Sequence, residues 1–217
     1  MEIVKVYNLH KRFGEVTVID GLSLIYEQGQ IYGLVGENGA GKSTFFNCLM
    51  GFHKYEGTVE FKDNTMIGFM PAESFFYPFI TGREHIDFCL KAKKRNVETS
   101  EIQYINDLFE LPLNRYASRY STGMKKKLDF MSLLLQKNDL MILDEPFNGV
   151  DLKGVINMRR LIREARDKGC TVIISSHQIA SLREICDRID FLCNHKILKR
   201  YTDESVEEIE QDILKII

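Results

Sequence analysis

The stretch that most constrains this chain is residues 36–44, which read Gly-Glu-Asn-Gly-Ala-Gly-Lys-Ser-Thr. They match the pattern G-x-x-x-x-G-K-[ST]. An apolar run at residues 31–35 precedes them, and apolar residues at helical spacing follow them. Strand, glycine loop and helix in this order are the context that a phosphate-binding loop requires, so the stretch predicts an α/β nucleotide-binding fold.

The residue types of this loop explain how it can hold a nucleotide. Glycines let backbone N–H groups approach phosphate oxygens closely, and the following helix directs its positive N-terminal end at the same anion. Lys42 adds a point charge for the β- and γ-phosphates, and the Ser43 hydroxyl is a ligand for Mg²⁺. The nucleotide-binding residues predicted here are Gly36, Asn38, Gly39, Gly41, Lys42, Ser43 and Thr44.

Length and composition exclude several other classes of protein. A chain of 217 residues can form one sizeable core with an inserted lobe. The net charge of −2 excludes strong electrostatic binding to nucleic acid, and five cysteines without a C-x-x-C pair are typical of reduced thiols in a cytoplasmic protein. No apolar run approaches the ~18 residues that span a bilayer. We therefore expect no nucleic-acid partner, a protein soluble by itself, and a membrane role only through a partner.

Three apolar runs predict a central, mostly parallel sheet. They are continuous rather than alternating, as in strands buried on both faces, and comprise residues 31–35, 140–143 and 172–174. Each run ends in polar residues: the phosphate loop, the pair Asp144 and Glu145, and the serines before His177. Because ligands bind at the carboxyl ends of parallel strands, we expect these ends to converge on one nucleotide.

The remaining segments predict an antiparallel edge and a helical lobe. Short apolar strands before the phosphate loop indicate an N-terminal antiparallel β edge. Capping-box patterns at Thr81 and Ser100, and a third helix start near Ser121, indicate helices between residues 74 and 137. We predict one domain over residues 1–217, with a sheet core formed by 1–73 and 138–217 and an inserted α-helical subdomain at 74–137.

The polar ends of the later strands suggest catalysis as well as binding. Asp144 can reach Mg²⁺ directly or through water, whereas Glu145 diverges from it and can face a nucleophilic water beside the γ-phosphate. His177 could hydrogen-bond the γ-phosphate or align that water, although a lone His after a strand is more often structural. The predicted catalytic residues are Glu145, His177 and Lys42, and Asp144 joins Ser43 at the metal.

A second candidate anion site lies at Ser121, Thr122 and Gly123, where small hydroxyl residues and a glycine begin a helix. The phosphate loop already fills the phosphate site of its own subunit, so this second site has no ligand within one chain. A second subunit could provide one.

Taken together, these segments resemble the ATP-binding subunit of ABC (ATP-binding cassette) transporters over nearly the whole chain. The resemblance depends on the phosphate loop, the signature segment 121–124, the strand that ends in Asp144 and Glu145, Asp151 in the following loop, and His177. It implies a P-loop NTPase fold and two cassettes packed head to tail, as a homodimer or heterodimer. Each ATP would then lie between the phosphate loop of one cassette and the signature of the other.

The same resemblance implies roles for further residues. Phe13 matches the aromatic that stacks on adenine, with a core phenylalanine as the alternative, and Asp151 joins the nucleotide site. The common signature Leu-Ser-Gly-Gly-Gln is altered here at Thr122 and Met124. Where the family has a Gln that links nucleotide and membrane subunit, this chain has Ala72 and then Glu73, so Glu73 is the candidate substitute and metal ligand.

For function, the resemblance implies an ATPase that dimerises on ATP and drives a membrane permease, with export favoured by similarity to ABC-2 type exporters. It would lie on the cytoplasmic face of the cell membrane. The alternatives are a soluble ABC-type ATPase in translation or DNA repair, a small-molecule kinase, and a non-hydrolysing switch. Those soluble relatives usually have two linked cassettes or a coiled-coil insertion, and neither is present in this sequence.

Two further features have open interpretations. The aromatic cluster of Phe75, Phe76, Tyr77 and Phe79 is either lobe core or an exposed surface for a helix of the membrane subunit, and our hypothesis is the exposed surface. The basic run 125–127 is interpreted as a solvated helix face rather than a contact with headgroups or a partner.

Overall fold

The computed structural model describes residues 1–216, which form two β-sheets and a set of surrounding helices. The strands are β1 (Glu2–Phe13), β2 (Val16–Glu27), β3 (Ile31–Val35), β4 (Glu56–Phe61), β5 (Ile67–Met70), β6 (Leu140–Asp144), β7 (Thr171–Ser176), β8 (Arg188–Cys193) and β9 (Lys196–Tyr201). The helices are α1 (Lys42–Leu49), α2 (Gly82–Ala92), α3 (Thr99–Phe109), α4 (Thr122–Leu135), α5 (Leu152–Asp167), α6 (Ile179–Arg183) and α7 (Val206–Ile216).

The larger sheet has six strands in the order β5-β6-β7-β3-β8-β9. All neighbouring pairs are parallel except β8 and β9, which are antiparallel. The three strands predicted from continuous apolar runs are therefore adjacent, and all of their residues are buried. Their carboxyl ends share one edge of the sheet, as predicted.

The predicted antiparallel strands form a sheet of their own, in the order β2-β1-β4. Helix α1 contributes Phe45 and Phe46 to a core between this sheet and the central one. Successive residues of the central strands enter different cores: Ile142 belongs to this core, whereas Met141 and Leu143 belong to the core beneath α4 and α5. Burial on both faces explains why the central strands are continuously apolar.

Three helices lie between β5 and β6, within the range predicted to be helical. The capping box at the start of α2 is confirmed, because the Thr81 hydroxyl accepts from Glu84 N at 3.2 Å and the Glu84 carboxylate accepts from Thr81 N at 2.7 Å. The second predicted capping box is wrong. Helix α3 follows Glu98, and the apolar face of Ile102, which is 2 % exposed, sets its register rather than a cap at Ser100.

Helix α4 begins where the sequence predicts, but its basic run is not fully solvated. Lys126 is only 3 % exposed, because it lies on the same helix face as the buried Phe130 and Leu133, four and seven residues later. The interpretation of residues 125–127 as a solvated face is therefore wrong for Lys126. Within residues 1–216, no helix has the length and apolar character needed to cross a bilayer.

Candidate nucleotide-binding site

Backbone geometry explains the glycines of the phosphate loop. Gly39 (φ 85°) and Gly41 (φ 106°) adopt the left-handed region that favours glycine, and Gly41 is the N-cap of α1. Gly36 is needed for a different reason, since a Cβ there would lie 2.4 Å from the carbonyl oxygen of Leu192. The loop can therefore wrap tightly at the carboxyl end of β3 only with these residues.

Lys42 is held inside the loop. Its side chain is 6 % exposed, and its Nζ donates to the carbonyl oxygens of Gly36 at 2.7 Å and Glu37 at 3.1 Å. Burial lowers the pKa of Lys42, and the nearby carboxylates of Glu145 and Asp144 oppose that shift. Ser43, the next residue, is exposed at the first turn of α1, where a hydroxyl can reach a ligand.

The two carboxylates after β6 have different environments. Asp144 is 2 % exposed, and Ser175 Oγ donates to its Oδ1 at 2.5 Å. The backbone N–H of Glu145 donates to the same Ser175 Oγ at 2.9 Å, and Glu145 adopts a left-handed conformation with φ 46°. One serine on the neighbouring strand therefore fixes both residues, and Glu145 has a backbone conformation that is uncommon for residues other than glycine.

His177 meets Glu145 where β7 ends. Its Nδ1 lies 3.1 Å from Glu145 Oε2 and 3.2 Å from Oε1, and Glu145 Oε1 lies 3.7 Å from Lys42 Nζ. Strands β3, β6 and β7 thus bring together a lysine, a glutamate and a histidine that are far apart in sequence. The convergence expected from the three strand ends is present in the fold.

The signature residues lie at the start of α4. Ser121 is its N-cap and accepts from Met124 N at 3.3 Å, while Ser121 and Thr122 are exposed. Gly123 is buried, and a Cβ there would lie 2.3 Å from the carbonyl oxygen of Gly149. Among residues 1–216, no hydrogen bond joins Ser121, Thr122 or Gly123 to the phosphate loop. The structure does not bring these two groups together within one chain.

Asp151 and Phe13 are two further residues predicted to belong to the nucleotide site. Asp151 precedes α5 and forms an ion pair with Lys127, whose hydrogen bond lowers the pKa of the Asp151 carboxyl. Phe13 is 46 % exposed and is therefore not a core residue. Lys11 Nζ lies 4.4 Å from its ring centroid, and the ring of His53 packs edge-on at 5.3 Å.

The donor set at the strand ends suits Mg²⁺ bound together with a nucleotide. Within residues 1–216, no cluster of three His, Cys, Asp or Glu side chains could hold a metal alone. Mg²⁺ usually keeps several waters and takes one or two protein oxygens plus phosphate oxygens, so it needs no such cluster. The Ser43 hydroxyl and the Asp144 carboxylate fit that requirement, and Glu73 is an exposed carboxylate beyond β5.

One cavity lies away from these strand ends. A volume of about 490 Å³, lined in part by Tyr104, Leu134 and Cys170, opens near the amino ends of β6 and β7. It lies at the edge of the sheet opposite the phosphate loop. The polar groups Lys42, Glu145 and His177 converge instead at the carboxyl ends of the strands.

Sequence reasoning gave no role to Ser175 and misjudged the burial of Lys126 and Phe76. Ser175 was not singled out, although a serine that ends a continuous apolar strand is the signal that could have found it. Lys126 donates from α4 to the carbonyl oxygen of Asp144 at 3.5 Å, and no sequence signal separated it from its neighbours. Of the aromatic cluster, Phe75, Tyr77 and Phe79 are exposed, whereas Phe76 is 8 % exposed and packs on His85.

Comparison with known proteins matches these features to one family. The profile described as "ABC transporter" matches residues 19–148. An uncharacterized ABC transporter ATP-binding protein of Methanocaldococcus jannaschii is 34 % identical, over 86 % of this chain and 72 % of that protein. A bacitracin transport ATP-binding protein of Bacillus licheniformis is 33 % identical, over 98 % and 71 %. A lantibiotic transport ATP-binding protein of Streptococcus pyogenes is 29 % identical, over 96 % and 95 %.

Solved structures share the fold. An ATP-binding subunit of an ABC transporter superposes with a TM-score of 0.84 at 23 % identity, covering 97 % of this chain and 93 % of that one. A nucleotide-free ATP-binding cassette gives 0.77 at 25 % identity, covering 99 % and 96 %. The architecture of two sheets with helices between β5 and β6 is therefore one that solved cassettes also have.

Proposed function

We propose a role for each residue of the nucleotide site, because this chain belongs to the ABC transporter family and is an ATP-binding and ATP-hydrolysing subunit. We also propose that it works with a second cassette and with a membrane permease. The proposal is carried by one observation: Lys42, Glu145 and His177 meet at distances of 3.1–3.7 Å. A phosphate-binding lysine, a carboxylate and an imidazole thus stand together where nucleotides bind on parallel sheets.

Binding of the phosphates is assigned to the loop and to α1. The backbone N–H groups around Gly39 and Gly41, and the N-terminal end of α1, attract the phosphate oxygens. Lys42 Nζ is already inside the loop and neutralises the β- and γ-phosphate charge. Mg²⁺, held by Ser43 and Asp144, would supply further positive charge to the phosphates. Glu73 is a less direct candidate, because its side chain is exposed beyond the end of β5.

Activation of the attacking water is assigned to Glu145. Its carboxylate can accept a proton from that water as the water attacks the γ-phosphorus. Ser175 fixes the backbone of Glu145, and His177 lies 3.1 Å from the carboxylate, so the base is oriented from two directions. Preorganisation of this kind lowers the cost of reaching the transition state.

Completion of the site is assigned to a second cassette. Ser121, Thr122 and Gly123 begin a helix, and within residues 1–216 they make no hydrogen bond to the phosphate loop. A second copy of this chain, or a related cassette, packed head to tail would use them on the other subunit's ATP. Asp151 follows Gly149, against which Gly123 packs, so it belongs to the same proposed interface. Phe13 offers an exposed ring for stacking on adenine.

The transport partner is proposed to be an integral membrane permease, with this chain on the cytoplasmic face of the cell membrane. Phe75, Tyr77, Phe79 and Phe88, which we call the aromatic surface, are each more than half exposed on the segment after β5 and on α2. Exposed apolar surface of this kind marks a partner site. Relatives are named for bacitracin and lantibiotic transport, which supports export and does not favour the translation or DNA-repair alternative.

Replacement of Glu145 tests the proposed chemistry. Glu145→Gln keeps the shape but removes the base, so ATP turnover should fall by about 10² to 10⁴ fold while the Kd for ATP changes less than about threefold. Steady-state ATPase assays and equilibrium binding measure the two effects. The control is Glu110→Gln, which alters an exposed carboxylate paired with Lys153. Unchanged turnover in Glu145→Gln would remove Glu145 from its role.

A further inference from the structure

A buried lysine lies between the nucleotide site and the helices. Lys126 of α4 is 3 % exposed, and its Nζ donates to the carbonyl oxygens of Pro71 at 3.1 Å and Asp144 at 3.5 Å. Burying an ammonium group is costly unless hydrogen bonds and opposite charges compensate. The proposed ATP chemistry does not use this residue, so its burial calls for another explanation.

The two carbonyl groups belong to different parts of the molecule. Asp144 ends β6 and precedes Glu145, whereas Pro71 follows β5 and is the first residue of the segment that leaves the sheet for α2. Strands β5 and β6 are neighbours, so one ammonium group can reach both ends. Lys126 therefore joins α4, the catalytic strand end and the start of the segment that carries the aromatic surface.

A series of contacts leads from Lys126 toward the aromatic surface, and it begins with an oppositely charged side chain. Asp129, one turn further along α4, is the carboxylate that most strongly opposes the lowering of the Lys126 pKa by burial. Asp129 Oδ1 lies 3.6 Å from Nε2 of His85 on α2. The His85 ring packs against Phe76, with centroids 4.7 Å apart, and Phe76 lies between the exposed Phe75 and Tyr77 in the chain.

Lys126 also responds to charge at the nucleotide site. Asp144, Glu145 and Glu73 are further carboxylates that favour its charged form. A change in charge beside Glu145 alters the potential at a buried ammonium more than at a solvated one, because little water screens it. Its bond to the Asp144 carbonyl oxygen, at 3.5 Å, is the longer of the two.

We propose that Lys126 is a positioning residue that couples the nucleotide site to residues 71–79. The proposal rests on the proposed function, because it requires ATP at the phosphate loop. Lys126 donates hydrogen bonds to both Pro71 and Asp144. A bound nucleotide that favours one arrangement of these two hydrogen bonds would therefore favour one position of the segment that follows β5. A ligand shifts a conformational equilibrium only through such a difference in interaction energy.

Lys93 is a matched control. It follows α2, and its Nζ donates to the carbonyl oxygen of Ile67 at 2.8 Å. Like Lys126, it joins the helices to β5 through an ammonium–carbonyl bond, but at the amino end of the strand, away from the phosphate loop. If any ammonium–carbonyl bond between the helices and β5 were sufficient for the coupling, replacement of either lysine would have the same effect.

Hydrogen–deuterium exchange of residues 71–92 tests the coupling. The parent protein, Lys126→Met and Lys93→Met are each compared with and without Mg²⁺ and an ATP analogue with a β–γ imido bridge. In the parent and in Lys93→Met, the analogue should slow exchange of this segment. In Lys126→Met the change should shrink about fivefold, while the Kd for the analogue stays within about threefold of the parent.

Turnover gives a second measurement. Lys126→Met should lower kcat about tenfold with KM within about threefold, because ATP still binds but the site is less well arranged. An exchange response in Lys126→Met equal to that of the parent overturns the proposal, as does an equal loss in Lys93→Met or a parent that shows no response. A parent that binds no analogue overturns the proposed function instead.

A further variant keeps the test decisive if Lys126→Met does not fold. Asp129→Asn leaves the lysine and its two carbonyl acceptors in place and removes the neighbouring charge, which also faces His85. The exchange response should be reduced by about twofold or more in this variant. A response equal to that of the parent would overturn the proposal.

Discussion

Two helices of this protein begin at small residues suited to anions, but they begin in opposite ways. Helix α1 starts at Gly41 with no side-chain cap, and the buried Lys42 stands beside it. Helix α4 starts at Ser121, whose hydroxyl already accepts from Met124 N, and its first residues are exposed. The first start lies beside the residues proposed to be catalytic, whereas Ser121 and Thr122 at the second start are exposed.

This difference shows how a nucleotide site can be divided between two chains. An uncapped helix start with a lysine nearby offers backbone N–H groups and a positive charge to phosphates within one subunit. A capped, exposed start satisfies its own backbone and offers its remaining N–H groups outward. We therefore expect α1 to govern binding and catalysis in each chain, and α4 to act on the other chain's nucleotide.

The largest expected effect comes from the first helix start. Lys42→Met removes the charge that neutralises the phosphates, so ATP turnover should fall by about 10² to 10³ fold and ATP binding should weaken. ATPase assays and equilibrium binding measure both. Lys93→Met is the control and should retain turnover, and substantial activity in Lys42→Met would contradict the primary role given to α1.

A smaller effect is expected at the second start. Ser121→Asp keeps a good helix cap but places a negative charge where phosphate should approach, so turnover should fall about 10- to 100-fold. The Kd for ATP measured on monomeric chain should stay within about threefold. Ser121→Thr keeps the hydroxyl and should retain turnover. Loss of monomer binding in Ser121→Asp would show that both starts act on the same nucleotide.

Mixing these two variants tests the division directly. A heterodimer of Lys42→Met and Ser121→Asp chains contains one site with both defects and one site with neither. Random mixing should therefore recover up to about a quarter of the parent turnover, well above either variant alone. The assay is turnover against mixing ratio, and no recovery at any ratio would contradict the shared site.

The smallest expected effect concerns His85 of α2, which contacts Asp129 of α4. Although burial lowers the pKa of His85, hydrogen bonds with Asp129 and Cys89 raise it from 6.5 to about 9. A pKa raised on folding stabilises the protein fully below pH 6.5, and this contribution is lost as the pH rises through 9. The free energy of unfolding should fall by about 3 kcal/mol across that window.

Urea unfolding at both ends of this pH window measures the loss. His85→Gln should show a flatter pH dependence, because it lacks the titrating ring. An equally steep fall in His85→Gln would assign the pH dependence to other groups.

Local patterns in the sequence determined much of the fold and of the site. The phosphate loop was recognisable because its glycines meet backbone requirements within nine residues, such as the left-handed φ of Gly39 and Gly41. The cap at Thr81 was predicted because the capping oxygen and the backbone N–H that donates to it are three residues apart, and the start of a helix near Ser121 was predicted as well. Family membership and ATPase function, both predicted from the ordered motifs, are confirmed.

Other features were decided by contacts between distant segments. Sequence indicated that Lys42, Glu145 and His177 would converge, but the strand order β6-β7-β3 set their distances, and Ser175 with the left-handed φ of Glu145 fixed the carboxylate. No local pattern contains these facts, because each depends on a neighbour supplied by another strand.

The two helix starts summarise this division. The sequence alone determined that residues 36–44 form a glycine-rich loop that leads into a helix and that residues 121–123 begin a helix, since both depend on bonds within a few residues. Only the tertiary structure decided that Lys126 is buried and that Phe76 is covered while Phe75 and Tyr77 are exposed. Burial is a property of packed surfaces, and a basic run or an aromatic run has the same sequence whichever face meets the core.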